Sequence, residues 1–218
     1  MTSISPGELE PPAWLYHLMA RGPIFRRIYR RLVADLRGAL PLGAQVLDVG
    51  TGPGFLLKYL ATQRPDLSLV GLDFDYQMIR RARRGKSESG RQTPLAWVVA
   101  NALALPFPPG IFPRALATFT FHIWPQQEAG LREILRVLQP GGRAWIYEMN
   151  REASRHDLRA FAREEKLPFP LIYLGFKTIS WGHGLGAGKF TAILQQAGAA
   201  QWNLHPVHHL FWRAEIEA

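Results

Sequence analysis

The stretch VLDVGTGPG, residues 46–54, most constrains what this chain can fold into. A short apolar run ends in the acid Asp48, and three glycines follow at every second position. The next residues, 55–62, have the composition of a helix. A strand, a glycine-rich turn and a helix in this order predict a parallel α/β sheet with a ligand held against bare backbone at the carboxyl end of the strand. An ordinary strand-to-helix turn that is rich in glycine is the alternative.

The spacing of the glycines argues against a dinucleotide ligand. A dinucleotide fingerprint, G-x-G-x-x-G/A, requires a small residue at position 55, where this chain has Phe55. The third glycine comes one residue earlier, at Gly54, which gives D-x-G-x-G-x-G. This pattern resembles motif I of the class I methyltransferases that depend on S-adenosylmethionine (SAM). The carboxylate of Asp48 suits that ligand, which carries an ammonium and a sulfonium.

Two further segments follow in the order that the resemblance implies. Residues 69–73 predict a second buried strand, and its last residue, Asp73, lies 23 positions after Gly50. This is near the offset of about 20 at which an acid accepts the ribose hydroxyls. A third strand is predicted at 97–100, and the NALALPF that follows resembles the family's D-A-x-x-L-P-F, whose acid and next backbone N–H bind adenine. Asn101 replaces that acid, and its amide can still donate and accept.

Residues 115–148 also resemble motifs of this family. Residues 115–119 predict a fourth strand, and TFHIWP at 120–125 resembles S-L-x-H-H-W-P, although Pro113 replaces the usual acid near the start of the strand. LREILRVLQPGGR, at 131–143, is close to the family's x-R-V-L-K-P-G-G helix and turn, and it leads into a fifth strand at 144–148. The resemblance covers about residues 44–150 and is closest to the ubiquinone/menaquinone and small-molecule branch.

The resemblance implies one Rossmann-like, doubly wound α/β domain over residues 1–218. Its seven-stranded sheet is mostly parallel, ends in an antiparallel hairpin formed by 202–205 and 210–216, and carries helices on both faces. We expect an N-terminal helical lid at 1–40, a SAM-binding core at 44–150, and a substrate cover with the terminal hairpin at 151–218. A hydrophobic content of 47% is enough for the core of such a domain.

Carried over position by position, the resemblance implies SAM as cofactor and S-adenosylhomocysteine as product. The cofactor-binding residues that it implies are Asp48, Gly50, Thr51, Gly52, Gly54, Asp73, Phe74, Asn101, Ala102, Leu103, Thr118 and Phe119.

Methyl transfer requires a base only when the acceptor must lose a proton. The candidates are His122, directly after the fourth strand, and Tyr16 and His17, in a YHLM segment similar to the Y-D-x-M/L of quinone methyltransferases. Glu148, at the end of the fifth strand, is a further candidate. A polar cap at the edge of the sheet is the alternative role for His122.

The net charge of +9 is concentrated near the N-terminus. The arginines there are Arg21, Arg26, Arg27, Arg30, Arg31 and Arg37. Apolar residues at spacings of three and four lie between them, which predicts an amphipathic helix whose arginines at 26–31 face outward. Three interpretations are open: a solvated face, a surface that docks on anionic lipid, and a nucleic-acid contact. The N/D-P-P-Y/F signature of base-modifying methyltransferases is absent at 118–121, which argues against nucleic acid.

Several other classes of site and of protein are disfavoured by the composition. The absence of cysteine excludes disulfides, thiolate metal sites and a cysteine nucleophile. We expect no metal at His205, His208 and His209, which have no carboxylate at ligand spacing, and GLGAGK at 184–189 departs from a phosphate-binding loop. The uncharged run 92–113 contains five prolines and cannot span a membrane as a helix. Without a visible secretion signal, a cytoplasmic protein is expected, with peripheral contact to the inner membrane face if the arginines bind lipid.

The function that these observations favour is methyl transfer from SAM to a small acceptor that is apolar or associated with lipid. Two alternatives are a protein of the same fold that binds SAM or a partner without catalysis, and a methyltransferase directed at RNA.

Overall fold

The computed structural model describes residues 22–84 and 94–218 of the chain, and strands and helices alternate along these ranges. The strands are β1 (Gln45–Val49), β2 (Ser68–Asp73), β3 (Leu95–Val99), β4 (Phe112–Thr118), β5 (Leu138–Met149), β6 (Gln201–Val207) and β7 (Phe211–Glu217). The helices are α1 (Pro23–Arg37), α2 (Phe55–Gln63), α3 (Tyr76–Arg84), α4 (Gln127–Val137), α5 (Arg155–Glu164), α6 (Phe169–His183) and α7 (Ala187–Gln196). A short 3₁₀ turn, Phe121–Ile123, follows β4.

The strands form one seven-stranded sheet in the order β3-β2-β1-β4-β5-β7-β6. The pairs from β3 to β5 are parallel, whereas β7 is antiparallel to both β5 and β6. The predicted sheet and its C-terminal hairpin are therefore confirmed. The carboxyl ends of β1 to β5 share one edge, here called the carboxyl edge. The strand order reverses between β1 and β4, and ligands of open α/β sheets bind at such a switch point.

Apolar side chains cover both faces of the sheet, because successive residues of a strand point in opposite directions. On the first face, Val46 and Tyr147 pack with α1, α2, α5 and α6. On the second face, Leu47 and Ile146 pack with α4 and α7. Helix α3 lies against β2 and β3. The predicted doubly wound arrangement is confirmed, with helices packed on both faces of the sheet.

Helix α1 is part of the core rather than a detached cover. Its apolar stripe includes Leu32, which is 0% exposed, and Leu36, and it packs beside α2. Arg26, Arg27 and Arg30 are exposed, as expected for arginines that face outward, whereas the side chain of Arg31 is only 24% exposed, so the expectation is wrong for Arg31. Arg31 reaches the carboxylates of Glu164 and Glu165, and Arg27 donates to the backbone carbonyl of Glu165 at 2.6 Å. These ion pairs join the first helix to the end of α5.

The largest departures from the predicted strand boundaries are at the starts of β4 and β5. Strand β4 begins at Phe112 and contains Pro113, at a point where the register between β4 and β5 shifts. A proline has no N–H for a regular ladder, and the irregularity accommodates it. Strand β5 begins at Leu138 rather than at 144, and Gly141, with φ of +71°, lies in its irregular first part. Among the described residues, the helices are all too short or too polar to cross a bilayer.

Candidate functional site

The glycine turn after β1 lies at the carboxyl edge, where the strand order reverses. The backbone N–H groups of Gly50 and Thr51 both donate to the carbonyl of Leu72 at the end of β2. Gly50, Gly52 and Gly54 all have positive φ, and Gly54 is the N-cap of α2. Three left-handed residues in so short a turn require glycine, since a Cβ disfavours this conformation.

The three glycines differ in what surrounds them. A Cβ on Gly50 would collide with the side chain of Thr120, and one on Gly54 would collide with the ring of Trp97. A Cβ on Gly52 would meet no atom within 4 Å. Gly52 is therefore the position at which a ligand can reach bare backbone, whereas the other two leave room for the protein's own side chains.

Asp48 lies near the carboxyl end of β1, next to the turn, and is only 1% exposed. The Thr51 hydroxyl donates to its Oδ2 at 2.6 Å, while its Oδ1 is buried and has no hydrogen-bond partner among the described residues. Burial raises the pKa of Asp48 to about 7, against the opposing effect of the Thr51 hydrogen bond, and the charge of Asp73 raises it further. A cation bound nearby would favour the ionised form of this carboxylate.

Asp73 ends β2 and faces the same turn. Its Oδ2 accepts the N–H of Gly52 at 2.7 Å, and its Oδ1 accepts the N–H of Asp75 at 2.9 Å. Burial raises the pKa of Asp73, although these backbone hydrogen bonds act in the opposite direction. Each oxygen keeps a further lone pair, so the carboxylate can still accept two hydroxyl groups. The neighbouring Phe74 is 78% exposed at the same edge.

Asn101 follows β3, and its side chain closes a tight turn. Its Oδ1 accepts the N–H of Leu103 at 2.9 Å, and its carbonyl accepts the N–H of Ala104. Glu133 and Arg136 of α4 hold the next part of the loop through the backbone of Leu105. The amide oxygen keeps one further lone pair and the NH₂ group is a donor, so Asn101 can offer either to a ligand, with Ala102 and Leu103 beside it.

The end of β4 has a strained backbone. Phe119 has φ of +54°, its N–H donates to the carbonyl of Tyr147 at 2.8 Å, and its ring packs against Phe211 in the core. The aromatic side chain of Phe119 is thus committed to the core, and a contact with the cofactor would involve its backbone. The hydroxyl of Thr118 is buried without a hydrogen-bond partner among the described residues. Strain in a non-glycine residue is often found at functional sites.

His122 and Glu148 are brought together at the ends of β4 and β5. The Nδ1 atom of His122 lies 2.9 Å from Oε2 of Glu148, and the backbone N–H of His122 donates to Oε1 at 3.2 Å. The sequence indicated both residues as separate candidates but not their contact. The signal that could have found it is an acid at the end of an otherwise apolar strand, next to the strand that precedes the histidine.

The remaining candidates are either outside the described residues or engaged elsewhere. Tyr16 and His17 lie outside the described residues. His208 pairs with Asp35 at 2.8 Å and His209 with Glu164 at 3.3 Å, so these side chains join the β6–β7 turn to two helices. In the ranges that the structure covers, no three potential ligands among His, Cys, Asp and Glu lie close enough to hold a metal ion. Pro113 lies at the opposite end of β4 from the carboxyl edge.

The described residues fit a SAM molecule in three respects. Open space lies over Gly52, the carboxylate of Asp73 has lone pairs for two hydroxyls, and Asp48 presents a buried oxygen without a partner near the turn. Asn101 is the exception, because its neutral amide has one acceptor oxygen, already bonded to the N–H of Leu103, where the family's acid has two charged oxygens.

Comparison with known proteins identifies relatives in the same family. A family model described as a methyltransferase domain matches residues 46–142. The demethylmenaquinone methyltransferase of Thermus thermophilus is 40% identical over 167 residues, which cover 75% of this chain and 69% of that protein. The ubiquinone/menaquinone biosynthesis C-methyltransferase of Geobacter sulfurreducens is 36% identical over 143 residues, or 65% of this chain. The chain spans only 55% of the length of this second relative.

A solved structure is similar over most of the chain. A SAM-dependent methyltransferase from Aquifex aeolicus superimposes with a TM-score of 0.62, covering 87% of this chain and 88% of that one, at 20% sequence identity. At this identity the similarity supports the fold, and the sequence relatives support the family.

Proposed function

The chain belongs to the class I SAM-dependent methyltransferases, and from that premise we propose that it methylates a small, lipid-associated acceptor of the quinone type. The observation that carries this proposal is the 40% identity to a demethylmenaquinone methyltransferase over 167 residues. The second relative, by its name, also acts in ubiquinone and menaquinone biosynthesis. These acceptors are apolar rings that carry a lipid tail.

The residues around the glycine turn would hold the cofactor. Asp73 would accept the ribose hydroxyls, Gly52 would let the ligand reach the backbone, and the turn after Asn101 would contact the adenine. Asp48, buried next to the turn, would compensate the positive charge of the ligand. When bound, SAM supplies a methyl group whose bond to sulfur breaks, with the electron pair kept by sulfur, as the acceptor atom bonds to the methyl carbon.

The region after β5 supports an apolar acceptor. In this family that region often covers the substrate, and here it contains α6, with Phe169 and Tyr173 in ring contact and Leu171 exposed. Ile123, in the turn after β4, is also exposed. An exposed aliphatic side chain beyond the end of β4, together with the apolar residues of α6, would suit an apolar ring.

The arginine distribution supports contact with an anionic membrane. Arg26 and Arg30 of α1 are exposed, and α3 adds exposed Arg80, Arg83 and Arg84. Basic side chains on a helix face are attracted to anionic lipids. A protein at the membrane surface would receive a lipid-tailed acceptor where that acceptor is dissolved.

An assay with the purified full-length chain tests the proposal. Reduced demethylmenaquinone in detergent and SAM with a labelled methyl group are incubated together, and S-adenosylhomocysteine and labelled quinone are measured by mass spectrometry. We expect both products in equal amounts. Asp73→Asn is the matched variant, because it keeps the size of the side chain but weakens its hydroxyl acceptors, and it should raise the SAM concentration needed for half-maximal rate.

The outcomes separate the alternatives. If RNA gains the labelled methyl group in a parallel reaction and the quinone does not, the enzyme acts on RNA and the proposal is contradicted. SAM binding by calorimetry without S-adenosylhomocysteine formation on the quinone, on RNA or on a small-molecule extract would support the non-catalytic alternative. Turnover with a soluble extract component but not with the quinone would retain the methyltransferase and reject the proposed acceptor.

A further inference from the structure

His122 lies two residues after Thr120, whose side chain packs against the glycine turn. It lies in the 3₁₀ turn Phe121–Ile123, directly beyond the carboxyl end of β4. Thr120, two residues earlier, occupies the space that a Cβ on Gly50 would need. His122 is therefore in the same short segment as a residue that packs against the glycine turn. Its side chain is 13% exposed.

Glu148 holds this histidine at two points. Its side chain is 0% exposed, it lies on β5 one strand away, and both of its oxygens are directed at His122. Oε1 accepts the backbone N–H at 3.2 Å, and Oε2 lies 2.9 Å from Nδ1. A buried carboxylate is costly unless its oxygens are satisfied, so the two contacts explain how Glu148 can remain in the core.

A carboxylate beside Nδ1 determines where the proton of a neutral imidazole lies. An ionised carboxylate only accepts hydrogen bonds, so Nδ1 must carry the hydrogen and the lone pair must be on Nε2. The same carboxylate stabilises the imidazolium that forms when Nε2 takes up a proton. This is the relation between the acid and the histidine in a serine-protease triad, where the acid holds the tautomer and does not itself exchange the proton.

We infer that Glu148 is a positioning residue that fixes His122 in the Nδ1–H tautomer, so that Nε2 of His122 can take a proton from the methyl acceptor. The inference rests on the proposed function for the identity of that acceptor. The proton leaves the acceptor as its new bond to carbon forms, passes to Nε2, and is released from the imidazolium to water. The acceptor must then have a proton to lose, as a hydroquinone, a phenol or an ammonium group has. Thioethers and tertiary amines, which lose no proton on methylation, are excluded.

The tautomer can be measured without any acceptor. The full-length chain is labelled with ¹⁵N-histidine, and long-range ¹H–¹⁵N spectra report which ring nitrogen of each histidine carries hydrogen. The signals of His122 are those missing in His122→Gln. We expect Nδ1–H in the parent protein and a shift towards Nε2–H in Glu148→Gln, whose amide cannot accept at both points. S-adenosylhomocysteine should move the His122 signals, whereas those of His156, exposed on α5, should stay in place.

Two results of the spectra would overturn the inference: an Nε2–H tautomer in the parent protein, or an unchanged tautomer in Glu148→Gln. If Glu148→Gln does not fold, the tautomer of the parent protein decides alone. The spectra are recorded without the quinone, so they test the tautomer of His122 even if the proposed acceptor is rejected.

Kinetics with reduced demethylmenaquinone at saturating SAM then test the role in turnover. We expect kcat to fall by about 10²–10⁴-fold in His122→Gln and in Glu148→Gln, the usual contribution of a positioned base. The KM for SAM should change less than about twofold, and His156→Gln should behave like the parent protein. Parental kcat in either His122→Gln or Glu148→Gln would overturn the inference. If the parent protein leaves this quinone unmethylated, the proposed acceptor is rejected and the spectra alone decide the inference.

Discussion

Gly50, Gly52 and Gly54 are glycines for different physical reasons. All three have positive φ, but Thr120 fills the space over Gly50, Trp97 fills the space over Gly54, and no protein atom fills the space over Gly52. The sequence pattern predicts the turn correctly but treats the three positions alike. Only the packing of distant residues distinguishes a glycine that admits a ligand from one that admits a side chain of the protein.

This difference predicts that two alanine substitutions affect SAM binding and stability to different extents. Gly52→Ala should weaken SAM binding by at least about tenfold, because its Cβ enters the open space, with a stability loss of about 1–2 kcal/mol from the left-handed backbone. Gly54→Ala adds a collision with Trp97 and should cost about 3 kcal/mol or more. Calorimetry with SAM and urea unfolding measure the two effects. Equal loss of SAM affinity at equal stability in both variants would contradict this division.

The buried carboxyl of Asp48 predicts a pH-dependent stability. Its pKa is about 7 in the folded protein and near 3.8 when unfolded, so the folded state keeps a proton that the unfolded state has lost between these values. The contribution of Asp48 to stability therefore falls as pH rises from about 4 to about 7, by up to about 4 kcal/mol, and is constant above that range. Asp48→Asn removes the titration. Urea unfolding of both proteins across this range should show the parent losing stability relative to the variant, whereas parallel curves would exclude the effect.

Replacing Asn101 with an acid is predicted to raise the affinity for SAM. In Asn101→Asp, one oxygen can keep the hydrogen bond from Leu103, and the other becomes an acceptor for an amino group where the wild type has a donor. A hydrogen bond to a charged group contributes about 1.5–3 kcal/mol, so SAM affinity should rise by about tenfold or more. Asn203→Asp, exposed on β6, adds the same charge elsewhere and is the matched control. Calorimetric affinity that is unchanged or weaker in Asn101→Asp would show that adenine does not use this side chain.

At the scale of elements, the sequence predicts strands well and their irregular ends poorly. The pattern around Asp73 and the apolar run of β1 place the parallel strands correctly, because buried strands have a continuous apolar signal. The early start of β5 is different, since PGG at 140–142 has the local signal of a turn. The strand continues there because Gly141 hydrogen-bonds to the last residue of the chain, Ala218, which no local pattern can indicate.

The contact between His122 and Glu148 was also beyond local patterns. The two residues are 26 positions apart, and the pairing of β4 with β5 brings them together. The same holds for α1, whose periodicity predicts an amphipathic helix but not which arginines have partners. Glu164 and Glu165 lie more than 130 residues away along the chain. They pair with Arg27 and Arg31 because these two arginines lie on the side of α1 that faces the end of α5.

The ion pairs between α1 and α5 predict unequal effects of arginine substitutions. Glu165 is 2% exposed, and Arg31 Nη2 lies 2.7 Å from its Oε1 in an electrostatic contact without hydrogen-bond geometry. Arg31→Met would leave this buried carboxylate with less compensation and should cost about 2–3 kcal/mol. Arg26→Met, exposed on the same helix, should change stability by less than about 0.5 kcal/mol. Urea unfolding of both variants tests this difference, and similar midpoints would contradict a stabilising role for the Arg31 contact.

At the scale of the whole molecule, the positive charge is unevenly distributed over the two faces of the sheet. Helices α1 and α2 share the first face. Helix α3 follows α2 in the same direction across the strand order β1-β2-β3, so right-handed crossovers place both helices on that face. The exposed arginines of α1 and α3 therefore point to the same side of the molecule. After the ion pairs of Arg27 and Arg31 are set aside, Arg26, Arg30 and the arginines of α3 carry part of the charge on this side that is available to a partner, and α5 adds the exposed Arg155, Arg159 and Arg163.

This distribution predicts which side of the molecule meets an anionic membrane. Vesicles that contain phosphatidylglycerol should co-sediment with the protein at low salt, and pure phosphatidylcholine vesicles should not. Each basic residue near the surface contributes about 1 kcal/mol, so Arg26→Gln with Arg30→Gln should lower binding by about 2 kcal/mol, or about thirtyfold. Arg132→Gln with Lys189→Gln removes the same charge from α4 and α7 on the opposite face and should have a much smaller effect. Raising the salt concentration to about 0.5 M should release the protein, because the attraction is screened within a few ångströms. Equal losses in the two double variants would indicate attraction to net charge alone, and no binding at low salt would leave the arginines as a solvated surface and favour a soluble acceptor.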